Sequence, residues 1–521
     1  MPFIDFNLSL PSFDWRTFDC VIIGAGAVGI LLAVKLTTNE KRVLLIESGH
    51  FALDDQRQVL NEVEQSGKPL SNPVWARKRA IGGTTTVWGG QSLPFSSMDF
   101  EPRDWVANSG WPITYAEIAQ HYTAANEFMC IDRSNYDTDL FKRLKRPNPG
   151  FDGSRLHYHF SKWAPEPNFL RLYRRKLERN VVVLYNAHLV RIDLGESGRV
   201  SEILITNFTG RTAVLPVRTL VLATGGIETN RILLLTDHQV RGGLGSHSGW
   251  LGKAFMEHPC LEAGYVEPYN MRLLQQVFGT HVRRLRKYSV RLSTAQSWQR
   301  KERLLNASAS ILCRYQEDGK GNPLSWLKQV SRQPRLEPAV QILGNCGRVA
   351  LSAWALAKDG FVYKPGSLAT LVFMTEQEPT KCSYIALSDR TDRFGKRLAR
   401  LNWNITDKTW HTIRRFADEI IFEMERLQLG RVVLHPHVRT DVINWKDRLS
   451  DVNHHMGGTR MSATRGEGVV NDQLQLWGVP NLYVCSTSVF PTGSHSNPTL
   501  TLLALGIRLT GKLMSDFGRG L

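Results

Sequence analysis

The chain has 521 residues, 42% of them hydrophobic and 22% charged, with a formal net charge of +17. That length suits two to three domains and a core that needs neither disulfides nor metal, and the composition excludes disordered, collagen-like and disulfide-stapled classes. Seven scattered cysteines (Cys20, Cys130, Cys260, Cys313, Cys346, Cys382 and Cys485) form no C-x-x-C pair, which sets zinc and thiol-redox chemistry aside and fits a reducing compartment.

Met1 to Thr17 lacks a basic start followed by an apolar run, so no signal peptide is expected and the chain reads as cytoplasmic. Phe18 to Ile23 reads as a buried parallel strand, Gly24 to Gly29 as a glycine turn, Ile30 to Thr37 as a helix, and Arg42 to Ile46 as a second buried strand. Short strands are expected at Val181 to Tyr185, Leu189 to Asp193, Ser201 to Thr206 and Leu220 to Ala223, then a helix from Glu228 to Leu235. The segment Arg283-Arg284-Leu285-Arg286-Lys287 and the run Gln299 to Arg303 carry local positive charge. A solvated basic face is the plain expectation; attraction for phosphorylated substrates or lipid surfaces is the alternative, so peripheral membrane contact stays open. No zinc-finger spacing or RNA-binding aromatic signature accompanies the charge, so nucleic acid is not expected.

Ala339 to Ala357 is apolar but interrupted by Asn345 and Arg348, which favours a buried or lid helix over a membrane span. Strands are expected at Tyr384 to Leu387 and Ala399 to Trp403, a periodic helix from Asp407 to Leu427, a strand at Leu482 to Cys485, and a helix from Thr499 to Met514.

Gly24-Ala25-Gly26-Ala27-Val28-Gly29 is G-x-G-x-x-G inside a strand–turn–helix–strand unit of about 30 residues, the context a dinucleotide fingerprint requires. The glycines allow the tight turn, the approach of backbone to pyrophosphate, and close helix–strand packing, and the helix N-terminus offers free N–H groups. Glu47 ends the second strand, where its carboxylate suits a ribose diol; a merely tight turn does not explain it. Ser48 follows it. This fingerprint alone fits NAD and FAD equally. The density of small and hydroxyl residues from Ile81 to Gly90 suits backbone packed on a flat ring and a phosphate chain. Its expected contacts are Gly83, Thr84, Thr85, Trp88 and Gly89.

With Ala223-Thr224-Gly225-Gly226, Gly252 to Pro259, His455-Met456-Gly457-Gly458-Thr459-Arg460-Met461 and Asn497-Pro498-Thr499-Leu500-Thr501, these segments run the length of the chain. In that order they resemble the glucose–methanol–choline (GMC) oxidoreductases, with spacing similar to pyranose-oxidase-like members and bacterial sugar and polyol dehydrogenases. The resemblance implies an α/β, two-domain fold. A Rossmann-like FAD domain would be assembled from discontinuous segments 1–100, 181–260 and 451–521. Segments 101–180 and 261–450 would form a substrate domain with a mixed or antiparallel sheet flanked by helices.

The resemblance further implies FAD, with Ala223, Ser486, Pro498 and Thr499 near it and Leu189 as a backbone contact to adenine. His455 falls on the active-site histidine and Asn497 on the second polar position. Histidine with a pKa near neutral suits removal of a hydroxyl proton, and a carboxamide suits fixing the oxygen. His454 reads as support for its neighbour, and His258 as structural. His495 and Gln377 are possible substrate contacts, against a turn histidine and a strand-end pair with Glu376. Pyranose-type members attach FAD through a histidine where this chain has Val87, so noncovalent FAD is expected. Ser486 stands where many members have aspartate.

The expected function is oxidation of an alcohol or sugar hydroxyl by hydride transfer to FAD, with oxygen or another acceptor reoxidising it. A small-molecule, possibly anionic or carrier-linked, substrate is expected, and no metal. The alternatives are a lyase of the same fold with redox-silent FAD, an NAD-linked dehydrogenase, and a non-catalytic nucleotide-binding protein.

Overall fold

The computed structural model describes residues 3–10, 14–136, 138–144, 149–315, 346–439 and 444–519, without the side chains of residues 138, 139, 346 and 349. Short strands that are apolar on both faces build the first sheet, as a parallel sheet covered by helices requires. They are Phe3–Asp5 (β1), Cys20–Ile23 (β2), Val43–Glu47 (β3), Val182–Tyr185 (β4), Leu220–Leu222 (β5) and Leu482–Val484 (β6). Their order is β1-β4-β3-β2-β5-β6, and every neighbouring pair is parallel. Helices Ala27–Thr38 (α1), Gly225–Leu234 (α2) and Thr499–Gly518 (α3) follow β2, β5 and β6. Each leaves the C-terminal end of its strand, which is where ligands bind in open sheets of this kind.

Every strand expected between 18 and 46, at 181–185, 220–223 and 482–485 enters this sheet. β1 was not foreseen; its three residues are too few to show a period. The strands expected at 189–193 and 201–206 form an antiparallel meander, His188–Leu194, Val200–Thr206 and Thr212–Pro216.

Two larger sheets carry the remaining strands. Five strands run in the order Met456–Gly458, Lys253–Met256, Tyr384–Thr391, Arg397–Trp403 and Val63–Gly67. The second is antiparallel: Gly430–Leu434, Cys260–Pro268, Leu368–Thr375, Ala307–Arg314, Arg286–Thr294, Leu156–Trp163 and Gln91–Ser92, with Thr280–Arg283 hairpinned onto Arg286–Thr294. Helix Asp407–Arg426 buries Ile413, Phe416, Ile420 and Met424 on one stripe, and the Phe416 ring meets Phe373 with centroids 5.3 Å apart.

The apolar stretch expected as a buried or lid helix is only partly described: 339–345 lie outside the described residues. The described helix, Cys346–Asp359, lies at the surface, with Leu351, Trp354 and Leu356 exposed and Ala355 buried. Arg272 and Lys358 cover the Trp354 ring. Among the described residues no helix is long and apolar enough to cross a membrane.

The segment after Phe100 is tied to the antiparallel sheet by a wholly buried ion pair. Arg103 Nη1 and Nη2 donate to the two carboxylate oxygens of Glu376 at 2.8 and 2.6 Å. Removing one partner strands the other charge in the interior. Arg103→Met is therefore expected to cost about 3–5 kcal/mol, read as a lower apparent Tm by calorimetry. The double variant Arg103→Met/Glu376→Leu should recover most of the loss, and an undiminished Tm in the single variant would contradict this account.

Candidate active site

The nucleotide end forms where β2 turns into α1. A Cβ on Gly29 would sit 1.9 Å from the Gly24 carbonyl oxygen, so only glycine lets α1 start so close to the turn. Gly26 at the helix start receives no side-chain cap, which leaves N–H groups directed at the cavity. Glu47, at the end of β3, accepts from Ala25 N and Gly49 N at 2.8 Å each. Burial raises its carboxyl pKa against the pull of those donors and of Arg79. The glycine-rich segment docks on the fingerprint loop through Gly82 N donating to Ala25 O at 2.8 Å.

A cavity of about 660 Å³ extends from this loop, within the size range of cofactor pockets. Gly24, Gly26, Glu47 and Ser48 line it, as do Gly83, Thr84, Thr85, Trp88 and Gly89. So do Leu189, Ala223, Ser486, Pro498 and Thr499, and with them His455 and Asn497. Ala25 and Gly29 are not on the wall: the Ala25 N–H is taken by Glu47, and Gly29 serves packing. Val87 lines the cavity and is 51% exposed. Trp88 is fixed by Nε1 donating to Pro167 O at 2.7 Å.

Several lining residues were not foreseen. Arg77, Lys78 and Arg79 bring three cations to the nucleotide end; Arg79 Nη1 donates to Ser48 Oγ at 3.0 Å and its Nη2 pairs with Glu228 at 3.1 Å. This basic triplet beside a glycine segment was visible in the sequence. His188, Arg231, Asp392 and Phe394 also line the cavity, but they meet only through tertiary packing.

The other end holds two adjacent histidines whose rings diverge. Both histidines and Asn497 line the cavity, and Asn497 contacts the His454 ring. Asn497 Nδ2 lies 3.3 Å from His454 Nε2, while His455 Nε2 faces Glu257 Oε2 at 3.7 Å. Gly226 pins the segment that carries both histidines. A Cβ on Gly226 would lie 2.2 Å from the His455 carbonyl oxygen, so the start of α2 packs directly on it.

The tautomers along this chain follow from the partners. His258 Nε2 lies 3.1 Å from the Gly493 carbonyl, which only accepts, so that nitrogen carries the proton. Burial holds both rings neutral, His258 at about 4 and His454 well below the usual histidine value. His258 Nδ1 then accepts from His454 Nδ1–H at 2.9 Å. The His454 Nε2 lone pair is left facing Asn497. Burial likewise lowers His455 to about 3. Among the described residues, His455 Nε2, Asn497 Oδ1 and Glu257 Oε2 have no hydrogen-bond partner. Buried polar atoms seldom stay unsatisfied, and these three suit a polar ligand group.

Gln377 lies off the cavity wall. It is buried, its Oε1 accepts from Glu257 N and Trp403 Nε1, and its Nε2 donates to Phe255 O and Asn404 O. The strand-end alternative describes it, as Glu376 is bound to Arg103. His495 is also off the wall; its Nδ1 lies 2.9 Å from Asn306 Oδ1 and its Nε2 is unpartnered.

Glu257 is pushed up to about 8 by burial, against backbone donors His258 and His454. Its folded pKa lies above the ordinary 4.5, so its stabilising contribution is full below pH 4.5 and is lost as pH rises through about 8. Glu257→Gln keeps the neutral form at all pH. Its apparent Tm is expected to gain on the wild type as pH rises across that window; parallel Tm profiles would refute the assignment.

These segments match known proteins. Residues 379–506 match the family model of the GMC oxidoreductases. The 2-methyl-1,2-propanediol dehydrogenase of Mycolicibacterium austroafricanum is 24% identical, with 94% of each chain covered. The C-glycoside 3-oxidase of Arthrobacter globiformis is 31% identical over 33% of this chain and 32% of its own. An FAD-dependent oxidoreductase from Chaetomium thermophilum shares the fold, with a TM-score of 0.59 at 15% identity, covering 96% of this chain and all of its own. Residues 379–506 thus carry the similarity to the GMC oxidoreductases, and the fold of the whole chain is shared with solved oxidoreductases.

Proposed function

We propose that this enzyme oxidises a hydroxyl on a sugar, glycoside or sugar-like ring, with His454 taking the hydroxyl proton and Asn497 holding the oxygen. The observation that carries the reading is the hydrogen-bond chain from the Gly493 carbonyl through His258 and His454 to Asn497. It leaves a neutral, unprotonated Nε2 at the cavity. The relatives' names, a propanediol dehydrogenase and a glycoside 3-oxidase, support a polyol or sugar-ring substrate.

Bound FAD supplies the hydride acceptor. Gly24, Gly26, Glu47 and the 83–89 segment would hold its nucleotide and phosphate parts, and Ser486, Pro498 and Thr499 its ring end. A substrate hydroxyl replaces the long Asn497–His454 contact, gives its proton to His454 Nε2, and receives the second Asn497 N–H as the oxygen gains charge. His454⁺ is then stabilised by His258 Nδ1, which the Gly493 carbonyl keeps in its accepting tautomer. His455 serves as a polar wall group beside neutral Glu257. The division into an FAD domain (1–100, 181–260, 451–521) and a substrate domain belongs to the same reading.

His454→Ala is expected to lower the rate of anaerobic flavin reduction by about 10²–10⁴-fold, with the yellow spectrum retained. His455→Ala should lower it much less; the reverse order would return the base to His455. Bleaching of the flavin band by sugars, glycosides or polyols favours redox chemistry, whereas substrate cleavage without bleaching favours the lyase.

FAD is held noncovalently in this reading, because Val87 has no nucleophilic atom. Acid precipitation is expected to leave the flavin absorbance in the supernatant. Flavin retained in the washed pellet would demand a covalent link.

A further inference from the structure

The basic stretch of the sequence does not form one surface. Arg286 reaches Asp132, Arg300 pairs with Glu101, and Arg303 with Asp104. Arg291, in the middle of that stretch, turns inward. It lies on strand Arg286–Thr294, where Tyr288, Val290 and Leu292 are buried in the apolar core. Strand alternation therefore puts Arg291 and Ser293 on the opposite face. That face is polar yet closed: His159, opposite Arg291 in the register, and Ser161, Ser293 and Ser308 are all buried.

Arg291 Nη1 donates to Ser308 Oγ and Nη2 to Gln91 Oε1, both at 3.3 Å. Gln91 lines the cavity, whereas Arg291 stands behind the wall and reaches it through Gln91. The positive charge of Arg291 helps keep His258, His454 and His495 neutral, and His159, its partner in the strand register, has its ring centroid 5.7 Å from that of His495. Among the described residues no carboxylate forms an ion pair with it; its two contacts are neutral, and nearby Glu376 is committed to Arg103. Arg291 is half-buried, and a cation drawn partly out of water without a counter-anion is unfavourable. It is tolerated where a ligand brings the anion.

We propose that Arg291 binds an anionic oxygen group, a carboxylate or a phosphate, on the substrate whose hydroxyl meets His454 and Asn497. The proposal rests on the hydroxyl-oxidising reading and names its substrate class: an acidic or phosphorylated sugar-like alcohol. The guanidinium fork matches both groups in a two-point contact, and 3.3 Å bonds to a serine and an amide are weak enough to exchange for it.

The test is calorimetric titration of the oxidised holoenzyme with methyl β-D-glucoside, methyl β-D-glucuronoside and methyl β-D-glucoside 6-phosphate. At least one anionic glycoside should bind about tenfold or more tightly than the neutral one, and which one does so separates carboxylate from phosphate. Arg291→Gln should lose that preference with its FAD spectrum retained, and Arg291→Lys should keep part of it. Equal affinities for all three in the wild type, or a preference that survives Arg291→Gln, overturn the proposal. Binding is read without turnover, so failure of the oxidation reading would show separately, as a bound glycoside that never bleaches the flavin.

Discussion

The site depends on backbone lying directly against backbone at two places. At one, Gly29 lets α1 begin against the Gly24 carbonyl; at the other, Gly226 lets α2 begin against the carbonyl of His455. A methyl group at either position would overlap an oxygen far inside van der Waals contact. The first approach forms the phosphate-facing turn, and the second fixes the segment bearing both histidines. Because α1 and α2 leave neighbouring strands of one parallel sheet, both ends of the cavity share one rigid frame.

Inside that frame the chemistry is set by neutrality. Burial keeps His258, His454 and His455 unprotonated and Glu257 protonated. Neutral imidazoles have one donor and one acceptor each, so a single backbone carbonyl orders a whole chain of rings. A charged pair in the same place would lose that direction. Against this neutral background the Arg291 guanidinium has an influence it would not have in water, since low local polarity strengthens its field.

The sequence made the parallel core readable because its signals are local: unbroken aliphatic strands, a fixed glycine spacing, and an acid at the end of β3. Strand Val63–Gly67 was not readable. Its residues are Val, Glu, Gln, Ser and Gly, and it exists through parallel pairing with Arg397–Trp403, far away in the chain. The ring end was readable to one residue's ambiguity. A glycine context marks a histidine pair, but which ring faces Asn497 depends on the backbone path before strand Met456–Gly458, which tertiary packing sets. Gln377 looked polar and available; only the three-dimensional partners of its amide show it fully engaged. The basic stretch was visible as charge, but the inward turn of Arg291 needed the strand register.

The edge strand β1 has a consequence for handling the molecule. Phe3–Asp5 runs along the outer side of Val182–Tyr185 and closes that border of the sheet. Material trimmed past Asp5 would present an aliphatic strand, Val-Val-Leu-Tyr, with its amides and carbonyls open to pairing by another molecule. Such trimmed material would gather into associated species, whereas a tag placed after α3 leaves this border shut.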